Sequence, residues 1–583
     1  MALGKLADSL QAVNGLLSGV PGVTALSGDP DLRGVVDATV AEIELGVERL
    51  ESSLEQASDV ESVERVNAEV LRLKDACWAL RRDRLRTAQA VVELCAGNLT
   101  PAGLEAFTSV QEALSAIDRL EVRGRDSAGL HLLVREHGLD LDSPSLSAVI
   151  ERRAADPLFG SGSVRVANGH LSFVYKAAAE IGELGDNTAQ LRTAITEDEL
   201  LHQALNNDVA GVTVLGHTRW ASVGIISEPN AHPLNSELLD NPGRPYVTAA
   251  LNGDVDNFVD IRAEAKLEIA PAISTDAKVI PTLMATHLEA SDERGELSGV
   301  DESFRRTVAT LEGSVAIAAS AAVAPSRLQL ALRGSGQALY VGFTEDSYMV
   351  ASEPYGVVEV ADSYLRLDGE TPGNLDNPTA SRGQIVTLDG RDAGDLRAIR
   401  RVAYDGTELP VDSNELVEPE ITTRDIDRGP FPHFLLKEIS EAPQSFRKTL
   451  RGKLIESDGG LEVRLDQAAL PDDVKQRLRS GATREILVIG QGTAAVAGQS
   501  LAMILAREDL PGIRVAALPA TELSGFGLRG DMSDVLIIAI SQSGTTTDTN
   551  RTVDLVRARG ASVIAIVNRR NSDLTDRADG VLY

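Results

Sequence analysis

Apolar residues recur at helical spacing through the first 100 residues of the chain. In VVDATVAEIELGVERLESSLEQA and VERVNAEVLRLKDACWALRRDRLRTAQAVVELCAG they fall at positions i, i+3, i+4 and i+7, with charged side chains between them. The alternation that a strand requires does not occur in this stretch. The pattern predicts a helical hairpin or small bundle over residues 1–100, with a structural or interaction role rather than a catalytic one.

Short β-rich runs replace this pattern between residues 101 and 413. Gly, Asn, Asp and Pro bound the runs, and helical sequence separates some of them. We therefore expect an α+β domain over residues 101–413, with antiparallel sheets layered against helices. The runs include GLHLLVRE, GSVRVANGHLSFVY, GVTVLGHTR, YVTAALNG, SVAIAASAAVA, LQLALRG, ALYVGFT, SYMVAS and GQIVTLDG.

The last part of the chain alternates buried strands with helices. Residues 414–431 are rich in Asp, Pro and Gly, which is typical of a linker. Beyond them, REILVIG, IRVAAL, DVLIIAIS and ASVIAIVN are apolar runs, the first three followed by helical sequence. This predicts a doubly wound α/β domain with a parallel sheet over residues 432–583. Since no helix follows the strand-like DGVLY, we expect this domain to be truncated.

Composition and charge exclude several classes of protein. The 583 residues hold 56 Lys and Arg against 87 Asp and Glu, and the net charge of −31 argues against nucleic-acid binding. No apolar run reaches the roughly 18 residues of a transmembrane helix, and MALGKLADSLQ lacks the features of a secretion signal. Cys77 and Cys95 form neither a disulfide scaffold nor a Cys-rich metal site. We expect a cytoplasmic protein without a membrane partner.

One candidate site follows the run GVTVLGHTR. The segment from Gly216 to Ser236 brings Arg219, Trp220, Ser222 and His232 together in sequence. Arginine presents a planar fork of donors that matches a carboxylate, and loops at strand ends are where such groups collect. The alternative is a capped turn with one buried Trp. The clustering of Arg, Trp and His with hydroxyl groups favours a binding loop.

Three shorter motifs add candidates. ALNGDVDN ends a strand in Asn252-Gly253, which is either an ordinary turn or a pair that directs an amide and an N–H at one oxyanion. In ISTDAKVI, Asp276 is placed either to bind an ammonium group or to cap a helix. RLEVRGRDSAGL places Arg123, Arg125 and Asp126 beside a turn, which favours a salt-bridged corner.

Two loops near the C-terminus suit a phosphate. REILVIG leads into the loop 490–493 and DVLIIAIS into the loop 541–547, each before a predicted helix. A helix N-terminus favours an anion, and the hydroxyl side chains add neutral donors. Neither loop holds a Lys, so a Walker-type site is excluded. The first loop by itself also matches a dinucleotide fingerprint through Gly490, Gly492 and Ala495, but the hydroxyl-rich second loop favours a sugar phosphate.

In their order, the first motifs resemble the glutaminase domain of the glutamine–fructose-6-phosphate aminotransferases. That family carries LE-x-RG-x-DSAG, HTRWA, NAHP, NG and a TD pair, and this chain reads LEVRGRDSAG, HTRWA, NAHP, NG and TD. The resemblance implies an N-terminal-nucleophile glutaminase fold. It also implies that Arg219 holds the glutamine carboxylate, Asp276 its amino group, and Asn252 with Gly253 the oxyanion. The other residues that would line the pocket are Trp220, Ser222 and His232.

The C-terminal motifs resemble the sugar isomerase (SIS) domain of the same family. SQSGTTTDT is similar to the family's SQSGETADT loop, and FPHFLLKEISEAPQSFRKTLRG is similar to its entry segment HYM-x-KEI-x-EQP. The family usually has Ser where this chain has Ala494, which removes one hydroxyl. By this resemblance, the residues that contact the sugar phosphate are Gly492, Thr493, Ser541, Gln542, Ser543 and Thr546.

The chain departs from the family pattern at several positions. Val223 and Leu251 stand where the family has His. Family members begin with Cys-Gly-Ile, whose free α-amine is the general base, and no Cys-Gly-Ile occurs here. Cys95 lies 28 residues before Arg123, near the family spacing, but its nitrogen is an amide, so we expect a structural thiol there. Either a start site lies upstream of Met1, or the fold has lost ammonia release.

The resemblance implies a glutamine-dependent amidotransferase that makes glucosamine 6-phosphate from fructose 6-phosphate and glutamine. It also implies a homodimer, and neither a metal nor an organic cofactor. The family's second SIS domain and its C-terminal reactive Lys are not found in this sequence, so we expect an incomplete enzyme. The alternative hypothesis is a catalytically inactive protein that senses a sugar phosphate or glutamine.

Overall fold

The computed structural model divides into two compact units, Met1–Asp427 and Arg428–Tyr583. It describes the chain from residue 2 to residue 583 with short gaps. The residues outside the description are 1, 55–59, 97–99, 179–182, 240–242, 291–298, 335, 345, 378, 420, 451–452, 458–459, 509 and 569–571.

Helices form the N-terminal layer of the first unit, as the sequence predicts. Their apolar side chains point inward at helical spacing, and Leu26, Leu73, Cys77 and Leu80 are at most 1% exposed. A π-helical turn at Ala79–Leu85 joins the last two helices. The helices are α1 (Ala2–Leu16), α2 (Gly19–Gly28), α3 (Pro30–Leu54), α4 (Val60–Trp78) and α5 (Arg86–Leu94).

The first sheet of this unit is antiparallel and consists of β1 (Ser127–Arg135), β2 (Val164–Ala167), β3 (His170–Ala177) and β4 (Gly211–Arg219), in the order β2-β3-β1-β4. Because strand side chains alternate, Leu130 and Leu132 face a helical side and pack in one core with Phe107 and Leu191. The helices of this region are α6 (Pro101–Leu120), α7 (Pro144–Ala154), α8 (Asp186–Thr196) and α9 (Glu199–Leu205).

Two more antiparallel sheets complete the α+β part. The larger contains β5 (Leu234–Asn235), β6 (Val247–Gly253), β7 (Val315–Ala321), β8 (Arg327–Arg333), β12 (Gln384–Asp389) and β13 (Arg400–Ala403), in the order β13-β12-β8-β7-β6-β5. The smaller contains β9 (Tyr340–Phe343), β10 (Tyr348–Ala351), β11 (Tyr364–Arg366) and β14 (Leu416–Val417), in the order β10-β9-β11-β14. The helices beside them are α10 (Phe258–Glu264), α11 (Val279–Glu289) and α12 (Val300–Thr310).

A buried carboxylate ties the helical layer to the α+β part. Glu359 accepts a hydrogen bond from Thr87 Oγ1 at 2.8 Å and forms an ion pair with Arg119. Arg84 donates to the backbone carbonyl of Glu359 at 2.9 Å. Burial raises the pKa of Glu359, but the neighbouring Arg119 guanidinium outweighs burial and holds this pKa below its usual range. The helical layer and the sheets are therefore joined by charge-assisted bonds as well as by apolar packing.

The predicted linker at residues 414–431 lies largely within the first unit. It contains β14, which pairs antiparallel with β11. Thr423 is buried, accepts from Trp78 Nε1 at 3.0 Å and donates to Asp83 at 2.7 Å. The Asp-, Pro- and Gly-rich composition correctly indicates turns here. It does not reveal that side chains of the helical layer hold those turns in place.

The second unit is built around a parallel sheet, as the apolar strands predict. The strand order is β18-β17-β19-β20-β21. After β17 (Glu485–Gly490) the chain adds β18 on one side, and it then crosses to the other side to add β19 (Val535–Ser541), so the strand order switches between β17 and β19. The other strands of this sheet are β18 (Arg514–Pro519), β20 (Ser562–Val567) and β21 (Gly580–Leu582). A separate two-stranded antiparallel sheet consists of β15 (Leu454–Ser457) and β16 (Gly460–Val463). The helices are α13 (Phe434–Leu450), α14 (Asp472–Arg479), α15 (Thr493–Leu505), α16 (Ala520–Glu522), α17 (Thr547–Arg557) and α18 (Asp573–Arg577).

The observed architecture confirms the predicted fold class: helices first, then antiparallel sheets with helices, then a doubly wound parallel sheet. Within the described ranges, no helix has both the length and the apolar character needed to cross a membrane.

Candidate functional site

Three loops of the first unit meet beside the ends of β4 and β6. The first loop, residues 220–226, follows β4, the second begins at Asp254 after β6, and the third, residues 272–278, precedes α11. Ser222 Oγ donates to Asp254 at 2.7 Å, which joins the first two loops. A Cβ on Gly224 would lie 2.8 Å from a side chain of the third loop, so the first and third loops are in close contact. The fold thus gathers the residues that the resemblance assigns to glutamine.

Arg219, at the end of β4, is 5% exposed. Its guanidinium donates to the carbonyl of Ile225 at 3.3 Å and to the carbonyl of Val223. Burial lowers the pKa of Arg219, and the nearby carboxylates of Asp276 and Asp126 oppose that shift. The two backbone bonds use two of the five N–H groups of a guanidinium, so donors remain for a carboxylate ligand.

Asp276 is 4% exposed and begins the helical turn before α11. Its Oδ2 accepts from the Val255 N–H at 2.8 Å, and its Oδ1 accepts from Thr275 Oγ1 at 3.2 Å. Burial raises the pKa of Asp276, and the neighbouring Asp254 raises it further. The carboxylate therefore bridges the second and third loops, which the helix-cap alternative does not anticipate. An ammonium group beside it would lower that pKa again.

Asn252 and Gly253 are the last two residues of β6 rather than a two-residue hairpin turn. Asn252 pairs with Ala316 of β7 in register and is half-buried. Gly253 has a φ of +119°, and a Cβ there would collide with the carbonyl of Ser314. Only glycine fits this position, and its conformation is what lets the strand end turn sharply into the second loop.

His232 lies behind the site and connects two of its parts. The Leu251 N–H donates to His232 Nδ1 at 3.4 Å, so Nε2 carries the ring proton and donates to Thr275 Oγ1 at 3.3 Å. Thr275 in turn donates to Asp276. Burial, with His217 beside it, holds the pKa of His232 well below its usual range, so the ring is neutral. This chain of bonds links the strand that carries Asn252 to the carboxylate that is expected to bind the amino group.

Trp220 differs from the other members of the group, because 77% of its surface is exposed. The two residues that follow it anchor the first loop, because the Ala221 N–H donates to Asp126 at 2.9 Å and Ser222 Oγ donates to Asp254. Asp126 thus holds the first loop instead of forming the salt-bridged corner expected from sequence. Its neighbour Arg123 does form an ion pair, with Glu353 at 2.6 Å.

Neither cysteine provides a thiolate near these loops. Cys95 follows α5, is 1% exposed and packs in a core with Leu94, Leu104 and Phe107. Burial raises the pKa of Cys95 to about 12. Burial, assisted by a nearby carboxylate, raises the pKa of Cys77 to about 11. Both thiols are therefore protonated at neutral pH and surrounded by apolar side chains.

A second candidate site lies in the second unit, where the strand order reverses between β17 and β19. In open α/β sheets, ligands bind outside the carboxyl ends of the strands at such a point. Gly490 ends β17, and a Cβ there would lie 3.0 Å from the Ile540 carbonyl and 2.9 Å from the first turn of α15. The loop 490–493 and the loop 541–547 therefore adjoin, and α15 and α17 both begin beside them.

The hydroxyl groups of the second loop are engaged with one another. Ser541 Oγ accepts from the Gly544 N–H at 3.0 Å and lies 3.3 Å from Thr546 Oγ1. Ser543 Oγ accepts from the Thr545 N–H at 3.2 Å. Thr546 precedes α17 in an extended conformation, and its side chain forms no cap bond to the helix. Within the described loop, Thr546 thus gives the first turn of α17 no side-chain cap, and helix N-terminal N–H groups are a common binding point for anions.

Gln542, Gly492 and Thr493 are the remaining predicted contacts, and all three are exposed at the rim of this crevice. The structure therefore brings the six predicted sugar-phosphate residues to one edge of the sheet. Thr493 is the first residue of α15, and Gly492, with a φ of +56°, precedes it.

Several residues of both sites were not among the sequence candidates. In the first unit these are the loop-joining Asp254 and the bridging Thr275. Asp254 directly follows the Asn-Gly pair, and that adjacency was the available signal. In the second unit, Gln491 lies between the two glycines of the first loop, where the sequence pattern allows any residue.

The chain is similar to several known proteins. The SIS domain family matches residues 482–583. Among curated proteins, the glutamine–fructose-6-phosphate aminotransferase of Symbiobacterium thermophilum is 31% identical over 392 residues, which cover 66% of this chain and 55% of that protein. The enzyme of the same name from Corynebacterium efficiens is 29% identical over 483 residues, covering 82% of this chain and 62% of that protein. The chain thus spans little more than half the length of these relatives.

Among solved structures, the chain is similar to the one titled "structure of the allosteric regulatory enzyme of purine biosynthesis", at 16% identity and a TM-score of 0.32, covering 78% of this chain and 77% of that one. The C-terminal domain of the Francisella tularensis glucosamine-fructose-6-phosphate aminotransferase is 25% identical with a TM-score of 0.22, over 27% of this chain and 40% of that one. The chain is therefore similar in sequence to glutamine–fructose-6-phosphate aminotransferases over part of their length, and its residues 482–583 match the SIS domain family.

Proposed function

We propose that this protein takes part in the glutamine-dependent synthesis of glucosamine 6-phosphate from fructose 6-phosphate. The first unit would bind glutamine, and the crevice of the second unit would bind the sugar phosphate. The observation that carries the proposal is the convergence of Arg219, Asn252 and Asp276, which are far apart in sequence, through three interlocked loops. The names of the curated relatives support the same substrates.

Each group has a chemical role in this proposal. The guanidinium of Arg219 binds the α-carboxylate of glutamine, and the carboxylate of Asp276 binds its ammonium group. The side-chain amide of Asn252 and the N–H of Gly253 face the carbonyl oxygen, where negative charge develops as the amide is attacked. His232 keeps the Asn252 strand and Asp276 at a constant separation through its two ring nitrogens. Trp220 would close over the bound ligand.

The second unit would hold the phosphate without a cation. The N-terminus of α17 and the hydroxyls of Ser541, Ser543 and Thr546 offer neutral donors. A phosphate monoester would replace the bonds that these groups make with one another. The resemblance also supports a homodimer, which sedimentation equilibrium of the full chain would test.

Isothermal titration and an assay of glutamate release test the proposal together. The full chain is titrated with L-glutamine and with fructose 6-phosphate, and glutamate formation is followed in the presence of both. We expect both ligands to bind with one site per chain. Failure of both ligands to bind at millimolar concentration would refute the assignment of the two sites.

A second candidate function is glutamine or sugar-phosphate sensing without hydrolysis. The specific observation that favours it is the burial of Cys77 and Cys95, because neither provides a thiolate near Arg219. Glutamine binding with no glutamate release, in this chain and in any longer product of the same gene, would favour sensing. Release of glutamate at a rate above that of an Asn252→Ala variant would favour the enzyme.

A further inference from the structure

We propose that Gln491 recognises a hydroxyl group of the sugar phosphate that binds in the crevice of the second unit. This inference rests on the function proposed for that crevice. It adds a residue that would distinguish a sugar phosphate from a phosphate group alone, because the hydroxyl side chains of the second loop are suited to the phosphate.

Gln491 lies in the loop that follows β17. The strand ends at Gly490, whose α-carbon packs against the first turn of α15 and close to the Ile540 carbonyl of β19. Gln491 is the next residue and belongs to the loop 490–493, which adjoins the loop 541–547. The helix N-terminus proposed to bind phosphate, that of α17, begins at the same edge of the sheet.

The carboxamide of Gln491 has an unmet hydrogen-bonding requirement. Its Oε1 is buried and has no donor among the residues that the structure describes. Thr549, in the first turn of α17, is 0% exposed, and its Oγ1 likewise has no partner in the described part of the chain. A buried acceptor without a donor is costly, and native proteins rarely retain one without a partner such as a ligand. Of these two atoms, Gln491 Oε1 belongs to a loop at the carboxyl edge of the sheet, and its missing donor is one that a molecule bound there would supply.

The chemistry of the missing partner follows from the type of atom. An amide oxygen accepts hydrogen bonds, and an ionised phosphate has only acceptors to offer. A sugar hydroxyl, in contrast, donates. The hydroxyl side chains Ser541, Ser543 and Thr545 already bond within their own loop and suit the phosphate oxygens. The buried amide oxygen of Gln491, which has no donor among the described residues, thus matches the sugar rather than the phosphate.

The test compares two ligands that share a phosphate monoester. Fructose 6-phosphate carries hydroxyl groups, and propyl phosphate carries none. Isothermal titration of the full chain should show about tenfold tighter binding of fructose 6-phosphate, which corresponds to roughly one well-made hydrogen bond. In Gln491→Met the two ligands should bind equally, with the affinity for propyl phosphate unchanged within about twofold. Gln499→Met, which alters an exposed residue of α15, should behave as the wild type.

Two results would contradict the role of Gln491, and a third would contradict the function proposed for the crevice itself. A tenfold preference that persists in folded Gln491→Met would overturn the assignment of Gln491. Equal binding of both ligands by the wild-type chain would overturn it without any variant. If Gln491→Met does not fold, Gln491→Asn, which shortens the side chain by one methylene, gives the same comparison. If the wild type binds neither ligand, the function proposed for the crevice fails, and the inference about Gln491 fails with it.

Discussion

The guanidinium of Arg219 donates to the carbonyl of Ile225 at 3.3 Å, so the loop after β4 folds back over the side chain that precedes it. The same loop is held to Asp254 through Ser222 and packs against the third loop through Gly224. The proposed carboxylate-binding group is therefore positioned by backbone before any ligand arrives, which reduces the entropy lost on binding.

This arrangement predicts the effect of removing the guanidinium. Arg219→Met should weaken glutamine binding by about tenfold to a hundredfold, because one charge-assisted bond to a carboxylate contributes roughly 1.5–3 kcal/mol. Arg219→Lys should recover only part of this loss, since an ammonium lacks the planar fork. Isothermal titration measures the affinities. Arg125→Met, a change at an exposed arginine nearby, is the matched control, and an equal loss in that variant would contradict a specific role.

Trp220 should report ligand binding by its fluorescence. The chain has two tryptophans, so Trp78→Phe leaves Trp220 as the single emitting tryptophan. This change removes the hydrogen bond from Trp78 to Thr423, which should lower the free energy of unfolding by about 1 kcal/mol. Because Trp220 is 77% exposed without ligand, glutamine should shift its emission to shorter wavelength as the loop closes. Adding Arg219→Met to this background should abolish the shift. Calorimetric binding with no change in emission would show that the indole does not line the pocket.

The cysteines should resist alkylation in the folded protein. With the pKa of Cys95 raised to about 12 and that of Cys77 to about 11, the thiolate fraction at pH 8 is on the order of one in a thousand or less. Intact-mass spectrometry after iodoacetamide treatment should show no adduct in buffer and two adducts in guanidinium chloride. Rapid single labelling in buffer at Cys95 would instead identify an accessible thiolate and reopen its candidacy as the nucleophile.

The stability of the first unit should depend on pH through Glu112. Burial, then the nearby Glu359 and Asp346, raise the pKa of Glu112 to about 8. The folded state therefore holds a proton that the unfolded chain, with a pKa of about 4.3, has released. This contribution to stability is complete below about pH 4 and is lost as the pH rises through about 8.

Glu112→Gln removes that titration. The variant should lose less stability than the wild type between pH 5 and pH 8, as measured by the midpoint of thermal unfolding at each pH. Glu105→Gln, at an exposed position of the same helix α6, should retain the wild-type pH dependence. Parallel pH profiles for the wild type and Glu112→Gln would mean that Glu112 is ionised in the folded protein.

Sequence patterns were sufficient to predict most of the helices and strands and to name many of the candidate site residues. The helical period of residues 1–100, the strand that ends at Arg219 and the parallel strands before residues 490 and 541 are confirmed. Such patterns report which face of a segment is buried, and that is a local property of the chain. The motif order added the candidates for glutamine and sugar phosphate, whose roles stay predictions.

Only the tertiary structure decided how these pieces are joined. The bridge from Asp276 to Val255, the pairing of Glu359 with Arg119 and the placement of Thr423 against Trp78 connect segments separated by tens to hundreds of residues. A hydrogen bond needs two atoms within about 3 Å, and spacing along the sequence does not encode that distance. For this reason the composition of residues 414–431 indicated a linker, while the fold pairs β14 of that stretch with β11 and bonds Thr423 and Arg424 to the helical layer.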